Sequence, residues 1–162
     1  MTAPMRTTVR GDGSLVVLLI GMRVHRIGNL RRSWRLFGAM NRMLRELNAD
    51  PALGYLGGES WIGNPTVMVQ YWRGFDELER YARGAETEHR PAWAAFNRML
   101  RSGGEVGVWH ETYRVRAGDY EAIYNNMPPF GLGRAIGTVE ATGRREAARG
   151  RFARASSVQG CP

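Results

Sequence analysis

The sequence predicts an α+β protein of the ferredoxin-like class, in which two helices cover one face of an antiparallel four-stranded sheet. Three observations lead to this prediction. The chain has 162 residues, of which 43% are apolar, and this fits one globular domain with a substantial core. Its strand-like and helix-like segments follow the order β-α-β-β-α-β, which is the split βαβ arrangement. Finally, residues 105–133 carry aromatic and polar side chains where a sheet built for stability alone would favour Val, Ile and Thr.

The folded domain is expected over residues 14–133. A polar, Gly-containing segment precedes it, so residues 1–13 are expected to be a flexible leader. From Arg134 onward the chain is rich in Gly, Ala and Arg, a composition that predicts a basic C-terminal arm or tail over residues 134–162. The single cysteine, Cys161, excludes an internal disulfide framework and a cysteine zinc site, which fits a cytoplasmic protein.

The first half of the domain contains a strand, a helix and a hairpin. Residues 15–24 are apolar on both faces, as in a central strand, and their apolar run is too short to span a bilayer, so no membrane partner is expected. Residues 29–48 carry apolar side chains at helical spacing and stop before a proline. Two strand-like runs, residues 55–62 and 66–73, flank Gly63-Asn64-Pro65 and therefore predict a hairpin.

The second half supplies the remaining helices and strands. Residues 75–83 and 87–101 have helical patterns, and Gly103-Gly104 ends the second of them. Residues 106–115 are predicted to form the fourth strand, and residues 120–125 a further short extended piece. One face of the resulting sheet lacks a cover. Two such sheets that meet face to face would bury it, as in a dimeric α+β barrel.

The net charge is +8, and all 23 basic residues are arginine. The absence of lysine excludes a Schiff-base lysine, and with it ordinary pyridoxal chemistry, and also the P-loop lysine of NTPases. Positive charge is concentrated in residues 1–45 and 134–162, whereas acidic side chains outnumber basic ones in residues 46–133. A nucleic-acid partner is disfavoured, because the basic regions lack the interleaved aromatic side chains on which bases would stack.

Alternation along the fourth strand divides its polar side chains between two faces. His110 shares one face with valines, whereas Glu111 shares the other with Trp109 and Tyr113. His110 and Glu111 are therefore not expected to form one dyad, and the sequence leaves open which face lines a pocket. Both residues also have a structural interpretation: His110 could be a hydrogen-bonded core histidine, and Glu111 could form an ion pair with an arginine such as Arg23 or Arg73.

The second long helix is predicted to begin near His89, which shares an apolar stripe with Trp93 and Phe96. An imidazole on such a stripe could act as a base, a hydrogen-bond anchor or a heme ligand, or it could be a satisfied core histidine. The three histidines are too dispersed for an HExxH-type pair, so no metal site other than a heme iron is predicted.

These patterns together predict a small-molecule pocket. The candidate catalytic residues are His89, His110, Glu111 and Tyr113. The candidate substrate-binding residues are Tyr71, Trp109 and Asn125.

Six stretches of the chain carry a family resemblance: LLIGMRV, RMLRELNADPALGYLG, MVQYWRGFDELERYAR, HRPAWAAFNR, VGVWHETY and YEAIYNNMPPFGLG. They resemble a bacterial family grouped with the fumagillin-pathway type of monooxygenase, within the antibiotic-biosynthesis-monooxygenase-like dimeric α+β barrels. The resemblance covers about residues 14–150, nearly the whole chain.

The resemblance implies a homodimer in which each subunit keeps an apolar pocket between its sheet and its helices. Cofactor-free members of the wider group oxidise aromatic or polyketide substrates that activate oxygen themselves, so the expected function is a small-molecule oxidoreductase of the monooxygenase-like kind. Other members of this superfold bind heme through a helix histidine, and aldoxime dehydratases are heme-bearing relatives in fold. In that alternative His89 would ligate the iron, with Trp93 and Phe96 beside the macrocycle. A non-catalytic ligand-binding dimer is the third alternative.

Overall fold

The structure, a computed structural model, describes residues 5–25, 30–84 and 106–152, with the backbone alone for residues 30–37 and 39. The predicted helix over residues 87–101 lies outside the described residues. So does the end of the predicted C-terminal tail, from residue 153 onward.

The described part of the chain forms strands, helices and two short 3-10 turns. The 3-10 turns are Pro51–Leu53 and Gly143–Glu146. The helices are α1 Leu30–Ala49, α2 Phe75–Arg83, α3 Leu132–Ile136 and α4 Ala148–Arg151. The strands are β1 Arg6–Val9, β2 Leu15–Val24, β3 Tyr55–Trp61, β4 Val67–Trp72, β5 Val106–Val115, β6 Ile123–Asn125 and β7 Thr138–Glu140. The helices within the described residues do not combine the length and the hydropathy that a membrane-spanning helix requires.

The main sheet has the strand order β3-β4-β2-β5, and every neighbouring pair is antiparallel. The hairpin β3–β4 adds to one side of β2, and β5 adds to the other side along the full length of β2, from Leu15↔Val115 to Val24↔Val106. This order is that of a ferredoxin-like sheet, so the predicted fold class, α+β, is confirmed.

The two faces of the main sheet differ in what covers them. Val16 and Leu18 of β2 pack with Leu47 of α1 and with Leu78 and Tyr81 of α2, all of them buried. We call this face the helix side. Because successive residues of a strand point to opposite faces, Val17, Leu19 and Gly21 lie on the other face, the open side. Paired residues in an antiparallel ladder point the same way, so the register assigns every residue of β4 and β5 to one side or the other.

A second, three-stranded sheet has the order β6-β1-β7. Its central strand, β1, lies within the segment predicted to be a flexible leader, so for residues 6–9 that prediction is wrong. Thr8 is fully buried there and donates a hydrogen bond from its hydroxyl to the Ala122 carbonyl oxygen at 2.7 Å. The partners of β1 lie more than a hundred residues away in the sequence, so the four residues of β1 carry no local signal of their pairing.

The first part of the predicted basic arm also has regular structure. Residues 134–152 include most of α3, all of β7, the second 3-10 turn and α4. α3 contacts both β3 and β1, and it therefore links the two sheets.

Candidate functional site

The cross-strand register places the polar side chains of β5 on opposite sides of the main sheet. His110 pairs with Ile20, which packs against the helix-side core, so His110 lies on the helix side. Glu111 pairs with Leu19 and lies on the open side. The two side chains are therefore separated by the sheet, as strand alternation predicted.

His110 is exposed, and within the described residues its imidazole makes no hydrogen bond or ion pair. It lies on β5, the last strand of the main sheet within the described residues. The described helices α1 and α2 pack mainly against β2, β3 and β4, and α2 reaches β5 where its Phe75 ring lies under the Arg114 guanidinium at 4.4 Å. An imidazole in this position can accept a proton from a molecule that lies against the helix side of β5.

Gln70 on β4 is a buried polar residue of the helix side that the sequence-based candidates did not include. It is 4% exposed, and its amide oxygen accepts a hydrogen bond from Trp72 Nε1 at 3.0 Å. Its amide nitrogen lies 3.1 Å from Met68 Sδ. The signal that could have identified it is an amide residue inside an otherwise apolar and aromatic strand, VMVQYW, since buried polar groups require partners.

Trp109 lies on the open side, beside Gly21 of β2. A Cβ atom at residue 21 would lie only 2.5 Å from Trp109 Nε1 and would also overlap the Thr66 carbonyl oxygen. Glycine at residue 21 therefore allows the indole to lie close against the neighbouring strand. This position makes Trp109 part of the open side and separates it from His110.

Glu111 and Tyr113 are joined on the open side by a hydrogen bond from the Tyr113 hydroxyl to Glu111 Oε2. Both side chains are exposed. The alternative prediction, an ion pair of Glu111 with Arg23 or Arg73, is wrong, because Glu111 forms no ion pair with either arginine in the described part of the chain. The Arg73 guanidinium instead donates to the Pro51 carbonyl oxygen at 3.0 Å.

The bond between Glu111 and Tyr113 predicts a pH effect. Hydrogen bonding to Glu111, and then the charge of that carboxylate, raises the pKa of Tyr113. The bond requires a protonated phenol, so its contribution to stability is present below the ordinary tyrosine pKa and is lost as pH rises through the raised value. Replacing Glu111 with Gln should lower the Tyr113 pKa toward about 10.

An NMR titration of ¹³C-labelled tyrosines would measure this change. The pKa of Tyr120 should stay the same in the Glu111→Gln variant, because burial is the largest cause of its shift and its hydroxyl donates to the Gly13 carbonyl oxygen. Equal Tyr113 titration curves for the variant and the wild-type protein would contradict the assigned cause.

Tyr71 also lies on the open side, under the turn that precedes α3. Burial, followed by the proximity of Tyr124 and Glu59, raises the pKa of Tyr71. Glu59 Oε1 accepts a hydrogen bond from the Gly131 backbone at 3.2 Å and contacts the Arg134 guanidinium at 3.1 Å. The residues around this turn therefore cover the β3–β4 part of the open side, and Tyr71 contributes to their packing.

Asn125 lies apart from the other candidates. It belongs to β6 of the second sheet, pairs with Arg6 and is exposed. The adjacent Tyr124 is buried, donates to the Phe130 carbonyl oxygen at 2.7 Å and accepts from the Gly133 backbone at 2.8 Å. Tyr124 thus anchors the turn before α3, and no sequence motif had distinguished it from its neighbours.

Three candidates for cofactor binding, His89, Trp93 and Phe96, lie outside the described residues. Within the described ranges, no group of three or more His, Cys, Asp or Glu side chains is arranged to hold a metal ion. The structure therefore separates the remaining candidates into His110 on the helix side, Asn125 in the second sheet, and a set on the open side comprising Tyr71, Trp109, Glu111 and Tyr113.

Similarity to known proteins extends over the main sheet. A family model described as monooxygenase af470-like matches residues 15–132, from the start of β2 to the start of α3. Monooxygenase af470 from Aspergillus fumigatus is 29% identical over 147 residues, which cover 84% of this chain and 50% of that protein. The chain thus spans half the length of this curated relative.

Two solved structures are similar in fold. An aldoxime dehydratase superposes with a TM-score of 0.67 at 18% identity, over 86% of this chain and 42% of the dehydratase chain. A dimeric protein of ferredoxin-like fold from Bacteroides fragilis has a TM-score of 0.46 at 12% identity, over 65% of this chain and 98% of its own. Because the family model covers most of the chain, including all four strands of the main sheet, this protein belongs to the monooxygenase af470-like family.

Proposed function

We propose that the protein is a monooxygenase-like oxidoreductase that binds a small molecule on the helix side of the main sheet, with His110 as the proton acceptor. The observation that carries this proposal is the match of the monooxygenase af470-like family model to residues 15–132. This range includes His110 and every strand that positions it. The Aspergillus fumigatus relative, named a monooxygenase, supports the same class of reaction.

The packing of the helix side favours the region next to β5 for the substrate. Near α2 this side is occupied by the buried core around Trp72. Next to β5 the side chains of His110, Thr112 and Arg114 are exposed, and all three pair with helix-side residues of β2. The imidazole of His110 and the hydroxyl of Thr112 could orient a substrate by hydrogen bonds, and the imidazole could accept a proton from it. The Arg114 guanidinium already lies over the Phe75 ring of α2, at 4.4 Å, and would form the side of this region next to α2.

The proposed chemistry uses the substrate itself to activate oxygen. His110 removes a proton from an acidic CH₂ group, and the electron pair left on the carbon reacts with molecular oxygen. Conversion of that CH₂ group to a carbonyl places one oxygen atom in the product and releases the other as water. The reaction is balanced without an external reductant, and it suits aromatic substrates in which the carbanion is delocalised.

Oxygen uptake by the purified full chain tests this proposal. The protein would be mixed with a panel of polycyclic phenols and related ketones that carry an activated CH₂ group, and uptake would be followed with an oxygen electrode. We expect at least one substrate to consume one oxygen molecule per molecule converted. Tight binding of these compounds with no uptake by any of them would instead favour a non-catalytic ligand-binding dimer.

A heme-dependent reaction is the second candidate, and the similarity in fold to an aldoxime dehydratase is the observation that favours it. His89 would be the iron ligand, but it lies outside the described residues, so the proposed mechanism uses no step at a heme. Titration of the protein with hemin separates the candidates. A Soret band that is lost in His89→Ala would favour heme, whereas we expect His110→Ala to leave any such band unchanged.

We also propose that two copies associate through the open side. The apolar side chains Val17, Leu19, Val67 and Val69 on this side are only half-buried in the single chain. The residues around α3 cover the part of the open side near Gly57 and Tyr71. The part formed by β2 and β5 has no such cover from the described residues, and a second sheet packed against it would bury these side chains.

Replacing Leu19 with Glu should convert the dimer into a monomer. The change places a second carboxylate directly across the strand pair from Glu111 in the proposed interface, twice in a symmetric dimer, and a buried unpaired charge costs about 3–5 kcal/mol. Sedimentation equilibrium would measure the association. Ile62→Glu is the control, since Ile62 is 93% exposed and the same change there should leave the dimer intact. A wild-type protein that is monomeric at all concentrations would refute the interface.

A further inference from the structure

We propose a second binding site, for a phosphate group that carries two negative charges, in a cavity beside the three-stranded sheet. The cavity has a volume of about 80 Å³ and is lined by residues 9–12, by Arg144 and Arg145, and by Gly150 and Arg151. We call it the arginine cavity. It is formed by the end of β1, the second 3-10 turn and α4, so it is separate from the main sheet that carries His110.

Two glycines allow the walls of the arginine cavity to approach each other. Gly11 has a φ of +76°, a conformation that favours glycine, and its carbonyl oxygen accepts from the Gly118 backbone at 3.0 Å. At Gly150, a Cβ atom would overlap the Arg144 carbonyl oxygen. The backbone segments therefore form a closed arrangement that larger residues at these two positions would disrupt.

Arg151 forms a fixed part of the wall. Its side chain is 7% exposed and its Nε lies 2.6 Å from Glu121 Oε2. Its Nη1 also donates to the carbonyl oxygens of Arg145 and Glu146, at 2.9 Å and 2.8 Å. This guanidinium is already bonded to a carboxylate and to two carbonyl groups. It positions the 3-10 turn and contributes little free charge to a ligand.

The other three arginines of the cavity have no acidic partner in the described part of the chain. Arg10, Arg144 and Arg145 form no ion pair there, and Asp12 is the one acidic residue of the lining. The four arginines of the lining carry four positive charges. Asp12, and Glu121 which pairs with Arg151, carry two negative charges, so two positive charges remain in excess. A ligand with two negative charges would balance this excess.

The chemistry of guanidinium groups favours a phosphate monoester. Arginine binds phosphate oxygens through paired, charge-assisted hydrogen bonds, and one phosphate offers enough oxygens for several arginines. A carboxylate or a phosphodiester carries a single charge and would leave one positive charge unbalanced. The cavity is also large enough to hold several water molecules, so a phosphate group could enter by displacing them.

Calorimetric titration of the full chain with a matched pair of ligands tests the proposal. At about pH 8 methyl phosphate carries close to two negative charges, whereas dimethyl phosphate carries one. We expect methyl phosphate to bind and dimethyl phosphate and acetate to bind at least about tenfold more weakly, the effect of losing a charge-assisted hydrogen bond. Equal binding of all three, or no binding of methyl phosphate, would overturn the proposal.

Two variants locate the site. The double change Arg144→Gln and Arg145→Gln should weaken methyl phosphate binding at least about tenfold. Arg80→Gln removes one charge from the exposed surface of α2 and should leave the affinity unchanged. An equal loss in Arg80→Gln would show non-specific attraction by the net charge. In the wild-type protein, NMR signals of the Gly11 and Gly150 amides should shift on addition of methyl phosphate, and their constancy would also overturn the assignment.

Discussion

Replacing Trp72 with Ala should lower the free energy of unfolding by about 3–5 kcal/mol, a large fraction of the total stability of a domain. Trp72 is 1% exposed and lies at the centre of the helix-side core. Its ring contacts Tyr55 edge-on at 5.5 Å between centroids and Tyr81 at 5.7 Å. The change would leave a cavity and would also remove the Nε1–H group that satisfies the buried Gln70 oxygen.

Thermal or urea unfolding of the full chain would measure this loss. Trp61→Ala provides a matched control, because Trp61 belongs to the adjacent strand β3, lies on the open side and is 47% exposed. We expect that control to cost about 1 kcal/mol or less, as for exposed aromatic pairs. Similar losses in the two variants would mean that Trp72 does not occupy the centre of the core.

Much of the main sheet could be predicted from local sequence patterns. The bounds of β2 and β5 agree with the predicted strands, because both strands are long and end at clear changes in composition. The three-stranded sheet could not be predicted in this way. β1 and β7 have only four and three residues, and β1 pairs with strands more than a hundred residues away.

The candidate site was predictable only in part, because it too depends on contacts between segments that are distant in the sequence. Alternation separates His110 from Glu111, but it does not identify the face that the helices cover. That assignment requires the pairing of His110 with Ile20 and the packing of the adjacent Leu18 against α1 and α2. The arginine cavity depends on two segments about 130 residues apart, so the basic composition of the C-terminal segment predicted charge there without predicting a site.

Replacing His110 with Gln should reduce oxygen-dependent turnover by about 10²–10⁴-fold, the usual contribution of a positioned general base. Glutamine can hydrogen-bond but cannot take up the substrate proton at neutral pH. The stability of the variant should stay within about 0.5 kcal/mol of the wild-type value, since His110 is exposed and has no hydrogen bond within the described residues. Steady-state oxygen uptake and thermal unfolding of the same preparations would separate these effects.

The neighbouring residue gives the sharpest control for this experiment. Glu111→Gln changes the next position of the same strand, but its side chain lies on the open side, so turnover should be unchanged. The opposite result, with turnover lost in Glu111→Gln and retained in His110→Gln, would place the reaction between the two sheets of the dimer. In that case Leu19→Glu, on the same side of the sheet, should abolish turnover together with association. Retention of activity by the monomeric Leu19→Glu variant would instead locate the substrate on the helix side, where each subunit binds it alone.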